Sequence, residues 1–157
     1  MGNWVLSTSD PIDPLDRAIL RELVRNARIS LRELARKLNS PSSTLHDRIK
    51  RLVKRGVIAR FTVLVDEAKL GYQVKALILI NADGKHIVEV EKEIAEHPNV
   101  QIVLDITGEF DIAVIAVFRS ISELDRFVKS LLKNPYVRQT RTSVVFRVVK
   151  QELSLPL

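Results

Sequence analysis

Between residues 13 and 56 the apolar positions recur every three or four residues. Leu15, Ile19 and Leu23 are spaced by four with Leu20 and Val24 beside them. Leu31, Leu34, Ala35 and Leu38 repeat the pattern, as do Leu45, Ile49, Leu52 and Val53. That period places each set on one side of a helix. The polar punctuation agrees. Asp13-Pro14-Leu15-Asp16 supplies an N-cap, a proline at the first helical position and a carboxylate in the first turn. Ser30-Leu31-Arg32-Glu33 is a capping box, Ser40 and Pro41 open a third helix, and Gly56 closes it in the left-handed conformation. Three short helices, the last two joined by about three residues, predict a helix-turn-helix (winged-helix-like) domain over residues 13–60.

From residue 57 the pattern changes. Val57 to Val65 reads as an extended apolar strand, with residues 61–72 forming a linking strand and hinge. Val74 to Ala82 reads as a strand, and Ile87, Val90 and Ile94 mark a helix. Val100, Ile102, Leu104 and Ile106 alternate with polar residues, and Ile112 to Phe118 is a buried strand. Ser120-Ile121-Ser122-Glu123 is a second capping box, opening a helix with Leu124, Val128 and Leu131. Val137 to Val149 is a long final strand. The order βαββαβ, with a weak internal repeat at an offset of 37 residues that aligns Pro98 with Pro135, predicts a ferredoxin-like domain over residues 73–150. The fold class is therefore α+β. Helices cover one face of such a sheet, and strands this apolar predict a second subunit over the other. Residues 1–12 and 151–157 are left as tails.

Charge divides the chain at the same place. Of the formal +6, residues 14–60 hold 13 Lys or Arg against 4 Asp or Glu, whereas residues 61–157 hold 12 against 13. A basic helical module joined to a neutral one points to double-stranded DNA as the partner of the first. The 157 residues contain no cysteine, which excludes disulfides, thiolate chemistry and iron–sulfur clusters, and three scattered histidines predict no metal site. No apolar run approaches the ~18 residues of a membrane helix. These features predict a cytoplasmic protein without cofactor or membrane partner.

The stripe of the third helix decides which of its residues remain outside: Ser42, Ser43, His46, Asp47, Lys50, Arg51 and Lys54, with Thr44 and Arg48 completing the DNA-binding set. Short hydrogen-bonding side chains come first and cations later. That order suits base reading near the helix start and phosphate contacts around it. His86 and His97 read as surface residues. Glu89, Glu91, Glu93 and Glu96 read as a solvated helix face, and Glu123 and Asp125 as favourable charge at a helix start.

Thr107-Gly108-Glu109-Phe110-Asp111 stands apart. A hairpin turn requires only the glycine, so the carboxylates are free to hold a zwitterion, with backbone amides for its carboxylate and Asp111 for its ammonium.

Several ordered motifs carry a family resemblance. Leu15-Asp16-Arg17-Ala18-Ile19-Leu20, Asn26-Ala27-Arg28-Ile29-Ser30, Glu33-Leu34-Ala35, Arg48-Ile49-Lys50-Arg51-Leu52 and Gly56-Val57-Ile58 belong to the first half. Lys69-Leu70-Gly71-Tyr72 and Thr107 to Asp111 belong to the second. Together, from about residue 13 to 150, they resemble the leucine-responsive regulatory protein/asparagine regulator (Lrp/AsnC) family. The resemblance implies a sequence-specific transcription regulator, dimeric or assembled further into octamers, whose C-terminal domain binds an amino acid around the Thr107–Asp111 turn. Trp4, Val5, Leu6 and the apolar tail from Leu153 have no counterpart in it. Two other functions compete: an architectural DNA-wrapping protein without effector, and a tetrapyrrole decarboxylase of the same fold. The second leaves the basic segment without purpose, and the chain shows no nucleophile–base pair or phosphate loop, so no enzyme is expected.

Overall fold

The computed structural model describes residues 12–152 and 157. The unassigned segments at Trp4 to Leu6 and from Leu153 to Pro156 lie outside the described residues. The chain forms two compact units, one running to Val63 and including Glu152 and Leu157, the other spanning Leu64–Gln151.

The first unit holds α1 (Pro14–Arg25), α2 (Leu31–Leu38) and α3 (Ser42–Lys54). Asp13 caps α1 by accepting the Asp16 N–H at 2.8 Å, and Ser30 caps α2 by accepting the Glu33 N–H at 3.2 Å. Ser40 behaves differently from the expected N-cap. Asn39 takes the left-handed conformation at φ 46° to end α2, which turns the Ser40 hydroxyl back to donate to the Leu38 carbonyl at 3.2 Å. Pro41 is left at the cap position of α3, without a side-chain bond. Ile19, Leu34, Leu45 and Leu52, one or two from each helix, are at most 1% exposed and form the centre of this unit. Burying each contributes about 1.5–3 kcal/mol before the cost of ordering the chain.

The end of α3 is a Schellman motif. Gly56, at φ +71°, donates to the Val53 carbonyl while Val57 donates to Leu52, both at 2.9 Å, and Ile58 packs beneath the core. Beyond it, the linking strand expected over 57–65 forms no ladder, and no wing hairpin follows α3 among the described residues. A strand needs a neighbour for its amides, and this stretch finds none among the described residues. Phe61, Val63, Leu64 and Val65 are consequently more than half exposed.

The second unit contains a 3-10 turn (Ala68–Leu70), β1 (Val74–Ala82), α4 (Ile87–Ala95), β2 (Val100–Asp105), β3 (Ile112–Phe118), α5 (Ile121–Leu131) and β4 (Val137–Val144). The strands form one antiparallel sheet in the order β2-β3-β1-β4, the arrangement two interleaved βαβ halves produce. β4 stops at Val144 instead of continuing to Val149. Its neighbour β1 begins at Val74, and after Val145 donates to the Lys75 carbonyl at 2.8 Å no ladder partner is left. Phe146 and Val149 are therefore exposed.

Burial along β1 alternates strictly. Ala76, Ile78 and Ile80, with Ile112, Val114 and Phe118 of β3, pack under Val90 and Ile94 of α4 and Leu124, Phe127 and Leu131 of α5. The opposite side of the sheet carries Leu77 and Leu79, Ile115 facing Ile102, and Ala113 facing Leu104. Neither α4 nor α5 packs on that side; Leu104 is half exposed.

Gly56→Ala should destabilise the first unit by about 1–2 kcal/mol, the cost of an L-residue in the left-handed region. Nothing lies within 4 Å of the added methyl, so packing adds nothing to that cost. Urea unfolding followed by helical circular dichroism measures it, and Gly56→Asn should lose less.

Candidate functional site

The exposed face of α3 is built as its stripe dictates. Leu45 and Leu52 are fully buried and Ile49 half-buried, which turns Ser42, Ser43, Thr44, His46, Asp47, Lys50 and Lys54 to solvent. None of these seven side chains makes a hydrogen bond or ion pair among the described residues. They are unengaged groups on one helix, polar first and cationic after.

Arg48 is a correction to the sequence-derived set. Its guanidinium lies over α1, bonded to Asp13 and, at 3.0 Å, to Asp16 Oδ1. Arg51 adds a bond of 3.2 Å to Asp16 Oδ2 while keeping 44% of its side chain exposed. Asp16 itself has no exposed surface, so both arginines neutralise a buried carboxylate. Arg48 is thereby removed from the free cations and Arg51 only partly retained. In exchange, Arg17, Arg28, Arg32, Arg36 and Arg60 are exposed and without an acidic partner among the described residues. The signal for two of them was present in the sequence, since Arg32 and Arg36 are four apart on one helix.

The hydrogen bond from Arg48, together with the backbone N–H of Asp16, holds the Asp13 carboxyl below the ordinary carboxylate range. A carboxyl with a depressed pKa in the folded state contributes stability above its unfolded pKa. That stability disappears as the pH falls through the folded pKa.

The turn from Thr107 to Asp111 divides its residues between structure and solvent. Asp111 Oδ2 accepts the Ala82 N–H at 2.9 Å, its N–H donates to Ile80, and its carbonyl accepts from Ile106. It takes the place of the next backbone acceptor where β3 has ended and β1 continues, beside the irregularity at Asn81/Ala82. Of the carboxylate expected to hold an ammonium, one oxygen is thus committed to the sheet. Phe110 is 4% exposed and lies under the Arg141 guanidinium, 5.0 Å from its ring centroid. Thr107, Gly108 and Glu109 remain outside, Gly108 at φ +122° with open space around it, and Glu109 faces Arg141 at 3.4 Å. Arg141 is the residue sequence reasoning missed, since its place beside the turn follows only from the pairing of β4 with β1.

The remaining candidates are less exposed than expected. His86 stacks on Tyr136 with centroids 3.7 Å apart, and His97 packs on Phe127 at 4.6 Å. Glu91 turns toward the protein rather than solvent; burial and the Asp105 charge push its carboxyl up. Ser120 and Glu123 form the second box, Ser120 accepting the Glu123 N–H and Glu123 accepting the Arg119 N–H at 2.6 Å. Among the described residues no group of three acidic, histidine or cysteine side chains could hold a metal, and no helix is long and apolar enough to cross a membrane.

Comparison with known proteins covers both units. Residues 12–59 match the winged helix-turn-helix DNA-binding family, and residues 75–155 the Lrp/AsnC ligand binding domain. An HTH-type transcriptional regulator of Pyrococcus furiosus is 48% identical over 92% of this chain and 97% of its own length. Among solved structures, the Escherichia coli regulator AsnC has a TM-score of 0.83 at 26% identity, covering 90% of this chain and 97% of that one. A transcriptional regulator of Neisseria meningitidis, solved as its L-Met complex, has a TM-score of 0.87 at 24% identity, with 93% and 97% covered.

Three stability experiments check these assignments. Asp16→Ala should destabilise the first unit by about 3–5 kcal/mol, because it leaves two arginines over a buried gap. Asp13→Asn should instead flatten its loss of stability below the ordinary carboxylate range, as measured by urea midpoints at a series of pH values. Asp111→Ala should cost about 1–3 kcal/mol by orphaning the Ala82 N–H, and Asp111→Asn, which keeps an acceptor, should recover most of it.

Proposed function

Because the chain belongs to the Lrp/AsnC family, and is therefore a helix-turn-helix transcription regulator rather than an enzyme, we propose that α3 reads operator DNA in the cytoplasm and that a small amino acid at the Thr107–Asp111 turn tunes that reading. The single observation that supports the DNA half is the α3 face itself: seven polar and charged side chains, exposed and without internal partners. Ser42, Ser43, Thr44 and His46 are the base-facing group, and Asp47 accompanies them. Lys50, Lys54 and the free edge of Arg51 grip phosphate. Arg32 and Arg36 extend the cationic surface onto α2.

The bare side of the sheet supports a dimer. Leu77, Leu79, Ile102, Leu104 and Ile115 form a contiguous apolar surface that a second copy would bury, and further assembly to an octamer uses what remains. Two copies of α3 would then meet half-sites about 34 Å apart or a multiple of it.

For the effector, Glu109 and Arg141 are a ready pair of opposite charges, both more than half exposed, with the Thr107 hydroxyl beside them. An ammonium on Glu109 and a carboxylate on Arg141 replace one exposed ion pair by two charge-assisted contacts. Two regulators that share this fold are described as L-methionine complexes, those of Neisseria meningitidis and Mycobacterium tuberculosis.

The test is operator selection followed by titration. Ser43→Ala and His46→Ala should change sequence preference, each lost base contact costing about 1–3 kcal/mol. Lys50→Ala and Lys54→Ala should weaken all DNA alike and lower the salt slope by about one phosphate each. L-Methionine should shift the operator affinity of the wild type and leave Glu109→Gln unmoved. Salt slopes and preferences unchanged in all four α3 variants would overturn the DNA assignment. Uniform wrapping of unselected sequences, with no response to any amino acid, would favour the architectural protein.

A further inference from the structure

The second unit contains a cleft of about 270 Å³ between α5 and the junction of α4 with β2, remote from the acidic turn. The Val117 N–H donates to the Asn99 carbonyl and Asn99 Nδ2 donates to the Val117 carbonyl, which places the cleft where β3 ends, whereas the turn precedes its first residue. Seven residues of strand, at ~3.3 Å each, put about 20 Å between the two.

The chemistry of the cleft is specific. Phe127, packed on the buried Phe118 with ring centroids 5.4 Å apart, presents a narrow aromatic edge, 5% of the residue being exposed. His97 Nδ1 accepts the Asn99 N–H at 3.2 Å, so in the neutral ring the proton sits on Nε2 and that nitrogen is a donor. Arg126 is exposed and has no acceptor among the described residues. Glu123, one turn before it, is the obvious partner, yet its Oε2 is taken by the Arg119 N–H and Oε1 is left over. Ser130 donates its hydroxyl proton to the Phe127 carbonyl, which leaves only its lone pairs for a guest. The cleft therefore offers two donors, one of them a fixed positive charge, and two acceptors, beside a narrow aromatic edge.

We propose that this cleft is a second small-molecule site, taking the carboxylate of a small apolar acid on Arg126 and His97 and, where the ligand is an α-amino acid, its ammonium on Glu123 and Ser130. The apolar side chain lies on Phe127. The volume admits one such molecule and excludes larger ligands. The site is complete within one copy of the chain and does not depend on the turn.

The experiment follows the His97 ring. The full chain carries three histidines, so ring-labelled protein gives three sets of signals, and His97→Gln assigns one. L-Alanine, L-leucine and 4-methyl-2-oxopentanoate are titrated to millimolar concentration, with operator affinity measured in parallel. The expected result is a saturable shift of the His97 signals by L-leucine. Arg126→Gln, a surface change that leaves DNA binding intact, should weaken it about tenfold or more, as loss of a charge-assisted contact does. The oxo acid should bind more weakly than L-leucine in the wild type and equally well in Glu123→Gln. A silent His97 with all three probes, or a shift that survives Arg126→Gln, overturns the proposal. The two sites fail separately: operator affinity that responds while His97 stays silent removes this site and keeps the turn, and the converse removes the turn and keeps this site.

Discussion

A carboxylate without exposed surface holds the first helix of the DNA-binding unit to its recognition helix. Arg48 and Arg51 reach across from α3 to meet Asp16. Replacing the whole triad by well-packed hydrophobic residues often costs little, so it is weak evidence for stability as such. Its geometric effect is larger. Two bonds from α3, seated on consecutive turns' worth of sequence, fix the rotation of that helix about its own axis. That rotation determines which side chains α3 turns to solvent.

The helices were readable from the chain because their determinants are local. Asp13, Ser30 and Ser120 cap the helices they precede, and Gly56 ends α3 in the conformation its lack of Cβ suits. The same is true of Val74–Ala82 and Ile112–Phe118, whose bounds follow from apolar runs closed by turn residues. Errors arose where a partner distant in sequence decides the outcome. The final strand stops where β1 runs out, and residues 57–65 form no strand because the described residues offer no neighbour. Arg48 sits at the border of an apolar stripe, and no local pattern shows a buried acid 32 residues earlier. Asp111 looked free for the same reason: its acceptor role serves Ala82, 29 residues away. The cleft beside Phe127 combines three stretches of chain and leaves no mark on the periodicity at all.

The sheet imposes a second constraint on the molecule. One side is filled by α4 and α5; the other is as apolar as a core, and neither helix packs on it. Edges and faces of this kind favour association over isolation. The linking segment and the residues after Val144 carry the same signature, with Phe61, Leu64, Phe146 and Val149 exposed. Much of this exposed apolar surface belongs to the neutral unit, whereas Phe61 lies in the basic one.

The division of roles within the turn after β2 has a consequence for how such a protein diversifies. Asp111 and Phe110 are held by the sheet and by Arg141, and Gly108 by its backbone angle. Thr107 and Glu109 are held by almost nothing. Mutations at those two positions alter the chemistry the turn presents without disturbing the strand end beneath it. A duplicated gene can therefore drift toward a different small molecule through one or two codons while every fold-maintaining residue stays under purifying selection. The exposed part of the turn and the part that anchors it are adjacent in sequence and separate in their contacts.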